Sequence, residues 1–287
     1  MVKSITLLDG GMGQELIRRS GQDPTPLWSA RILLDNPDLV KDLHVDFIRA
    51  GTKVISLNNY TATPTRLARD ASMDLFEPIH NEAKRIAHLA RQEAGVEGVN
   101  IAGCLPPLVA SYEPELAPNL DDCLAQYREL VAAQEDGVDL FFCETLATIR
   151  EAKAAALAAC ETGMPTIVSF TLDDDKPTQL RSGESLIEAV EAVAPLGVHA
   201  VMANCSMPET MNASLPLLVK AFSKVGAYAN GFQSVAPLDA GGTVAGLKAR
   251  EDLTPAKYAD YALGWVEMGA KIVGGCCEVA WPYCSDK

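Results

Sequence analysis

The sequence predicts an α/β fold in which eight parallel strands close into a barrel surrounded by helices, a (β/α)8 arrangement. Three observations predict it: short β-branched runs alternate with longer stretches of helical periodicity, no Gly/Ser/Pro-rich linker divides the chain, and the length is 287 residues. Such barrels take about 250 residues, so we expect one domain spanning residues 1–287. An open, doubly wound sheet is the alternative architecture.

The strands are predicted from eight runs rich in β-branched and apolar residues. These cover residues 5–8, 54–57, 99–102, 140–143, 166–170, 200–203, 227–229 and 271–273. Helical spacing of apolar residues, together with capping signals, predicts helices over residues 37–50, 73–94, 120–133, 148–159, 185–194, 214–222 and 255–266. Each strand–helix–strand step then forms a right-handed crossover.

Two segments depart from this alternation. Residues 231–252 are the longest stretch without either periodicity, and in a barrel they would overhang the carboxyl-terminal face, either as a functional loop or as a solvated one without a role. Only ten residues follow Cys277, and Trp281-Pro282 interrupts them, so we expect the eighth helix to be truncated, altered or missing. The uncovered strand faces would then favour association into a homo-oligomer.

Composition excludes several classes of partner. The formal net charge of −14 would repel a phosphate backbone, so nucleic acid is not an expected partner. No apolar run approaches the roughly 18 residues of a membrane span, and the first nine residues are typical of a strand rather than a signal peptide. Eight cysteines spread through a chain of this size favour reduced thiols and a cytoplasmic protein.

Three of those cysteines carry the chemistry. Cys205 ends the sixth predicted strand, and Cys276 and Cys277 end the eighth, which brings all three to the rim where barrel active sites lie. Three thiolates with one open position are typical of catalytic zinc. We expect Gly274-Gly275 to supply the backbone freedom that lets adjacent cysteines serve one ion. A thiol bound in the open position would be deprotonated and nucleophilic.

Other interpretations of the cysteines remain open at this point. Any one of them could be a packing residue, and Cys276 and Cys277 could form a vicinal disulfide. Four further cysteines lie mostly in apolar helix or strand contexts and are assigned to the core: Cys104, Cys123, Cys143 and Cys160.

Short motifs at three strand ends resemble the homocysteine S-methyltransferases. They are Asp9-Gly10-Gly11-Met12-Gly13, Asn204-Cys205 and Gly274-Gly275-Cys276-Cys277. The resemblance runs from about residue 4 to Glu278 in the right order and spacing. It implies a (β/α)8 barrel that binds Zn2+ through the three cysteines and methylates L-homocysteine to methionine, with small molecules as its partners.

The resemblance also implies roles for individual residues. Asp9 and Glu144 would hold the amino group of homocysteine, while Gly10, Gly11 and Gly13 would let backbone N–H groups approach its carboxylate. Met12, between these glycines, is also a candidate substrate-binding residue. Further candidate substrate contacts are Asn204, Trp28 and Tyr60. From the residues alone, either acid could instead be a helix N-cap and Trp28 a core residue.

The donor is less constrained by the sequence. An onium compound is expected, with S-methylmethionine the first choice and S-adenosylmethionine the second. Thr61 stands where relatives show an aromatic residue or Gln, which weakens betaine in particular. Betaine, another sulfonium such as dimethylsulfoniopropionate, and a selenol acceptor all stay open. The competing functional classes are a non-catalytic zinc- or thiol-binding barrel and a redox sensor that uses a Cys276–Cys277 disulfide.

Overall fold

Eight parallel strands form a single sheet in the computed structural model, which describes residues 5–236, 238 and 240–279. The strands are β1 (Thr6–Leu7), β2 (Val54–Ser56), β3 (Asn100–Leu105), β4 (Leu140–Leu146), β5 (Thr166–Phe170), β6 (Ala200–Asn204), β7 (Val225–Ala229) and β8 (Ile272–Gly275). Their order is β1-β8-β7-β6-β5-β4-β3-β2, so strands consecutive in the chain are neighbours from β2 to β8. All eight predicted strands are confirmed.

The sheet closes on itself between its first and last members. Thr6 pairs with Ile272 on one side of β1, and Leu8 forms a parallel bridge with Val54 on the other. The amide of Lys53 donates to the carbonyl of Leu7 at 2.8 Å across the same seam. The strand order contains no reversal of direction of the kind found in a doubly wound sheet, so the barrel prediction is confirmed and the open-sheet alternative is wrong.

Helices surround the barrel and fill the crossovers between strands. They are α1 (Met12–Ser20), α2 (Trp28–Asp35), α3 (Pro37–Arg49), α4 (Pro64–Asp70), α5 (Phe76–Ala94), α6 (Leu120–Ala132), α7 (Ile149–Cys160), α8 (Leu186–Val193), α9 (Pro208–Ala221) and α10 (Pro255–Met268). The seven predicted helices correspond to α3 and α5–α10. Only α9 differs much, because it begins at Pro208, six residues before the predicted start.

Three helices escaped the sequence analysis: α1, α2 and α4. Each has fewer than ten residues, and neither α1 nor α2 has a side-chain cap at its N-terminus. Their stability comes instead from tertiary packing, since Leu16 of α1 and Leu33 of α2 are completely buried in one cluster with α3 and α5. Helices α1 and α2 lie in the chain between β1 and β2, and α4 lies between β2 and β3.

Alternate strand residues point into the barrel, where they form a packed interior. Its members include Ala102, Phe142, Met202 and Tyr228, while the residues between them face the surrounding helices. The residues that follow the strand ends therefore converge above a solid floor rather than a pore.

The expectation of an altered eighth helix falls on residues after Val279, which lie outside the described residues, as does Trp281-Pro282. The homo-oligomer expected from that gap stays a prediction. Among the helices of the described part of the chain, none is long and apolar enough to cross a membrane.

Candidate active site

Three cysteine side chains meet at the carboxyl-terminal mouth of the barrel. Cys205 directly follows β6, and Cys276 and Cys277 directly follow β8. Their sulfur atoms all lie within 4.8 Å of one another, and those of Cys205 and Cys277 are 3.9 Å apart. Tetrahedral zinc with Zn–S bonds of about 2.3 Å would hold its sulfurs about 3.8 Å apart. Donor type and spacing therefore fit a metal site with three protein ligands.

Two of these thiols also pair with each other. Cys205 and Cys276 form a disulfide, with Cα atoms 5.7 Å apart, and Cys277 is a free thiol. The Cys276–Cys277 disulfide considered from the sequence is therefore wrong, because Cys276 pairs with Cys205 instead. The ends of β6 and β8 bring Cys205 and Cys276 together, whereas neighbouring residues of an extended chain point apart. Disulfide and metal would compete for the same sulfur atoms, so metal binding requires the reduced pair.

The glycines beside the thiols serve close packing. A Cβ atom on Gly274 would lie 2.6 Å from Cβ of Leu8, and one on Gly11 would overlap the carbonyl oxygen of Cys276. Neither Gly274 nor Gly275 has a positive φ, so the expected role of Gly274-Gly275 in backbone freedom is wrong. The left-handed residue of this turn is Glu278, with φ of 61°. Small residues are needed here because the β1 and β8 loops touch backbone to backbone.

Two partly buried carboxylates lie at the other end of the same opening. Asp9 follows β1, and its Oδ2 accepts a hydrogen bond of 2.7 Å from the amide of Ser56. Glu144, in β4, accepts from the thiol of Cys104 at 3.2 Å and from the hydroxyl of Tyr228 at 3.1 Å. Burial raises the pKa of Asp9 to about 8, with a smaller contribution from the charge of Glu144, and burial also raises the pKa of Glu144.

Within the described residues, neither carboxylate has a cation to balance it: no Lys, Arg or His nitrogen lies within 4.0 Å of Asp9 or Glu144. Nor does either acid cap a helix, since Gly11 precedes α1 and the Thr148 hydroxyl caps α7. Even a partly buried carboxylate without a cation is costly, so this end of the opening is suited to a positively charged ligand group.

A pocket of about 790 Å3, open to solvent, joins the thiols to the acids. Asn204 is the one predicted site residue that does not line it. The Asn204 amide instead bonds to Thr145, accepting from its N–H at 3.0 Å and donating to its hydroxyl at 2.8 Å, and so holds Thr145 at φ of 62°. The predicted residues that line the pocket are Asp9, Gly10, Gly11, Met12, Trp28, Tyr60, Glu144, Cys205, Cys276 and Cys277.

Three residues at the pocket were missed or misassigned from the sequence. The Tyr112 hydroxyl donates to the sulfur of Cys205 at 3.2 Å, but Tyr112 lies in an irregular segment that carries no motif. Cys104 is buried, as expected of a core residue, yet its thiol contacts Glu144. Cys104 and Tyr228 each occupy an interior-facing position of a strand, a signal that strand alternation could have supplied.

Aromatic side chains form one wall of the pocket. The rings of Trp28 and Tyr60 are 6.1 Å apart, and Trp28 has a φ of 49°, which is rare and costly for a bulky residue. Thr61 does not face this pocket; its hydroxyl donates to the carbonyl of Leu27 at 2.7 Å and so fixes the segment that carries Trp28. A constrained aromatic face beside a thiol cluster is suited to a cationic methyl donor.

The long loop after β7 covers this wall, as predicted from the sequence. Phe232, Val235 and Val244 form an apolar cluster in contact with Trp28 and with four further residues, Ile17, Tyr112, Leu247 and Cys277. Phe232 also bridges to Ala249, which closes the loop on itself. Pro237 and Asp239 lie outside the described residues.

Comparisons of this chain with a family model, with known sequences and with solved structures all match homocysteine methyltransferases. Residues 6–281 match the family model described as homocysteine S-methyltransferase. The homocysteine S-methyltransferase of Escherichia coli K12 is 30% identical, over 96% of this chain and 92% of that protein. Two crystal structures of the homocysteine methyltransferase MmuM from Escherichia coli superpose on this chain, each with a TM-score of 0.82. The metallated form is 27% identical, and the match covers 99% of this chain and 95% of that one. The oxidized form is 28% identical, and the match covers 98% of this chain and 94% of that one.

Proposed function

Because the chain belongs to the homocysteine S-methyltransferase family, we propose that it transfers a methyl group from an onium donor to the sulfur of L-homocysteine, forming methionine, with zinc held by Cys205, Cys276 and Cys277. One observation carries the proposal: a single pocket has three cysteine sulfurs at one end and, at the other, two partly buried carboxylates that have no cation partner among the described residues. Homocysteine has a thiol and an ammonium group separated by a short chain, which matches both ends.

Asp9 and Glu144 would bind the ammonium group of homocysteine. The charge of that group would offset the burial that raises the pKa of both acids, so substrate binding would ionise Asp9 and release its proton. Cys104 and Tyr228 hold the two oxygens of Glu144 in place. An ammonium removed from water needs such charge-assisted hydrogen bonds.

The substrate carboxylate would lie at the N-terminus of α1. Met12 and Gly13 begin this helix, where the first N–H groups have no partner within the helix and favour an anion. Gly11 is less suited than the sequence indicated, because its N–H already donates to the carbonyl of Val279 at 2.7 Å. Gly11 and Gly10 would instead keep this segment close to the thiols.

When bound, zinc would lower the pKa of the homocysteine thiol in the ligand position left open by the three cysteines, so that the thiolate is present at neutral pH. The thiol proton would pass to water. The sulfur lone pair of homocysteine would then form a bond to the methyl carbon while the bond between that carbon and the donor's onium atom breaks, and the onium atom would keep the electron pair of that bond. A sulfonium donor leaves as a neutral thioether, so charge and atoms balance.

Trp28 and Tyr60 would orient the donor through their ring faces, which attract a sulfonium or quaternary ammonium group. We favour S-methylmethionine, then S-adenosylmethionine, and treat betaine, dimethylsulfoniopropionate and a selenol acceptor as alternatives for the test. The hydroxyl of Tyr112 would steady Cys205 by its hydrogen bond to the sulfur.

A donor panel with homocysteine, assayed on protein reduced and supplied with zinc, tests the proposal. We expect methionine from at least one sulfonium and about one zinc per chain. Cys277→Ala should lower zinc content and reduce turnover by at least about a thousandfold, since a zinc site short of one ligand binds weakly. Cys160→Ala is the matched control, because Cys160 is a half-buried free thiol at the end of α7.

Two outcomes would contradict the proposal. Stoichiometric zinc without methionine from any donor would favour a non-catalytic zinc-binding barrel. Equal loss of turnover in Cys160→Ala and Cys277→Ala would mean that the thiol cluster is not the site of methyl transfer.

A further inference from the structure

A second cleft adjoins the pocket on the far side of Trp28. It has an open volume of about 400 Å3, and Trp28 lines both spaces. Arg66 and Arg69 of α4 and Ser111 lie on one side of it, and residues 240–242 of the long loop on the other. The proposed methyl transfer leaves this cleft without a role.

The cleft contains a cation that the protein does not balance. Arg66 is only 7% exposed, and its guanidinium lies 5.4 Å from the ring centre of Tyr60. Its Nε and Nη2 donate to the carbonyl of Pro107 at 3.2 and 3.0 Å, and Nη2 also donates to the hydroxyl of Ser111 at 3.3 Å. These partners are all neutral, and in the described part of the chain Arg66 has no salt bridge and Nη1 no hydrogen bond.

The nearest acid does not compensate for this. Glu151 exerts an attractive charge on Arg66 but accepts its own hydrogen bond from the amide of Leu108, and burial raises the pKa of Glu151 to about 7. Burial and the charge of Arg69 both lower the pKa of Arg66. A guanidinium in this position gains free energy from any carboxylate that reaches it.

Arg69 lines the same cleft, but its charge is balanced by a neighbouring carboxylate. Its Nε and Nη2 donate to the two carboxylate oxygens of Asp70, each at 2.7 Å. This pairing uses the fork of the guanidinium and neutralises its charge. Of the two arginines that line the cleft, Arg69 is therefore paired with a carboxylate, and Arg66 is not paired with one among the described residues.

The aromatic wall connects the unbalanced cation to the reacting centre. Tyr60 lies next to both Trp28 and the Arg66 guanidinium, with ring-centre distances of 6.1 and 5.4 Å, and its hydroxyl hydrogen-bonds to that of Ser111 at 3.0 Å. Tyr112, which follows Ser111 in the chain, donates from its hydroxyl to the sulfur of Cys205. A donor with its onium group at the Trp28 face could thus extend a short chain past Tyr60 into the cleft.

We propose that Arg66 binds a carboxylate of the methyl donor, so that the donor is a zwitterion carrying an onium group at one end and a carboxylate at the other. The proposal rests on the proposed methyl transfer and adds a residue that selects the donor by its carboxylate. Onium compounds without a carboxylate would be poor donors, because they leave the buried guanidinium unpaired.

Matched donor pairs test the role of Arg66 directly. S-methylmethionine is compared with its α-carboxamide, and betaine with its amide, by calorimetric binding to the zinc-loaded protein and by kcat/KM with homocysteine. For at least one pair, wild-type protein should bind the acid about 10- to 100-fold more tightly than the amide, the range of a charge-assisted hydrogen bond. Arg66→Gln should remove that preference.

Two further variants separate this role from folding. Arg69→Gln should keep the preference, since Arg69 is already paired with Asp70. Arg66→Lys should keep part of it, because the charge remains without the planar fork. Circular dichroism and thermal unfolding check that each variant is folded.

The outcomes distinguish the two proposals. An equal preference for acid over amide in wild type and Arg66→Gln, or no preference in wild type for either pair, overturns the carboxylate site while leaving methyl transfer intact. A wild-type protein that binds acids in preference to amides through Arg66 but forms no methionine overturns the methyl transfer alone.

Discussion

Two groups of charged residues at the mouth of the barrel differ in how their charges are balanced. In the loop group, Arg250 pairs with Glu209 at 2.7 Å and with Asp252 at 2.8 Å, and Lys257 also pairs with Asp252. In the pocket group, Asp9 and Glu144 have only neutral hydrogen-bond donors. The pKa of Glu209 accordingly falls to about 2 through its bonds to Arg250, whereas burial raises that of Asp9 to about 8.

The difference separates structure from function. Matched charges fasten one segment to another: Arg250 joins the long loop after β7 to the first turn of α9. Unmatched buried charges lower stability, and they are tolerated where a ligand supplies the missing partner. By the same reasoning, Asp9 and Glu144 predict an ammonium group on homocysteine, and Arg66 predicts a carboxylate on the methyl donor.

Among the effects expected for these two groups, the largest is on homocysteine use when a pocket acid is neutralised. Glu144→Gln should lower kcat/KM for homocysteine about 100-fold, because a charged hydrogen bond to the substrate ammonium is lost in a buried site. Zinc content should stay near the wild-type value, since Glu144 is not one of the three clustered thiols. Steady-state kinetics with elemental analysis measures both.

Glu209→Gln is the control for that comparison. It makes the same chemical change at the same end of the barrel, but its partners are Arg250 and Tyr261 rather than a ligand. It should change homocysteine kinetics by less than about threefold, in line with the small free energies of surface ion pairs. If the two variants lost activity equally, the distinction between matched and unmatched acids would be refuted.

Much of the fold could be predicted because strands and long helices carry regular signals. β5 was bounded correctly, and α5 was recognised from apolar spacing that the structure buries at Ile79, Ala83 and Ile86. The short helices α1, α2 and α4 were not, because at this length tertiary contacts outweigh local propensity.

The site was predictable only where one residue type implies a chemistry. Adjacent cysteines after Gly274-Gly275 indicate a metal, and the structure brings their sulfurs to that of Cys205. Arg66 and Tyr112 carry no such signal, because their meaning depends on what surrounds them. Whether a charged side chain has a partner of opposite charge depends on tertiary contacts, and the spacing of residues in the sequence does not predict it.

The second expected effect is on stability and has opposite signs in the two groups. For Asp9, a folded pKa of about 8 against 3.8 unfolded means that the native state binds the proton more tightly, so stability is full below about pH 4 and falls as pH rises to about 8. Asp9→Asn should remove this fall and raise the melting temperature at pH 8, in the absence of homocysteine. Each pH unit is worth at most about 1.4 kcal/mol.

Glu209 should behave in the reverse way. Its folded pKa of about 2 lies below the unfolded 4.5, so its contribution is present above pH 4.5 and is lost as pH falls to about 2. Glu209→Gln should therefore lower the melting temperature at pH 8, by a small amount because half of the side chain is exposed. Thermal unfolding at pH 3, 5 and 8 compares both variants, and shifts of equal sign at pH 8 would contradict the assignment.

The smallest expected effect concerns how an unmatched acid is held. Cys104→Ala removes one of the two donors to Glu144 and leaves the Tyr228 hydroxyl, so the carboxylate should be less well oriented while keeping its charge. We expect KM for homocysteine to rise about three- to fivefold with little change in kcat, the scale of one weak neutral hydrogen bond. Cys143→Ala is the matched control, since Cys143 is equally buried but belongs to the outer core. Both substitutions remove the same atoms from a packed region and should destabilise the protein similarly, so only a contact with Glu144 can separate their values of KM. A KM that is unchanged in Cys104→Ala, or raised equally in Cys143→Ala, would show that the thiol is packing alone and that Tyr228 orients the carboxylate without it.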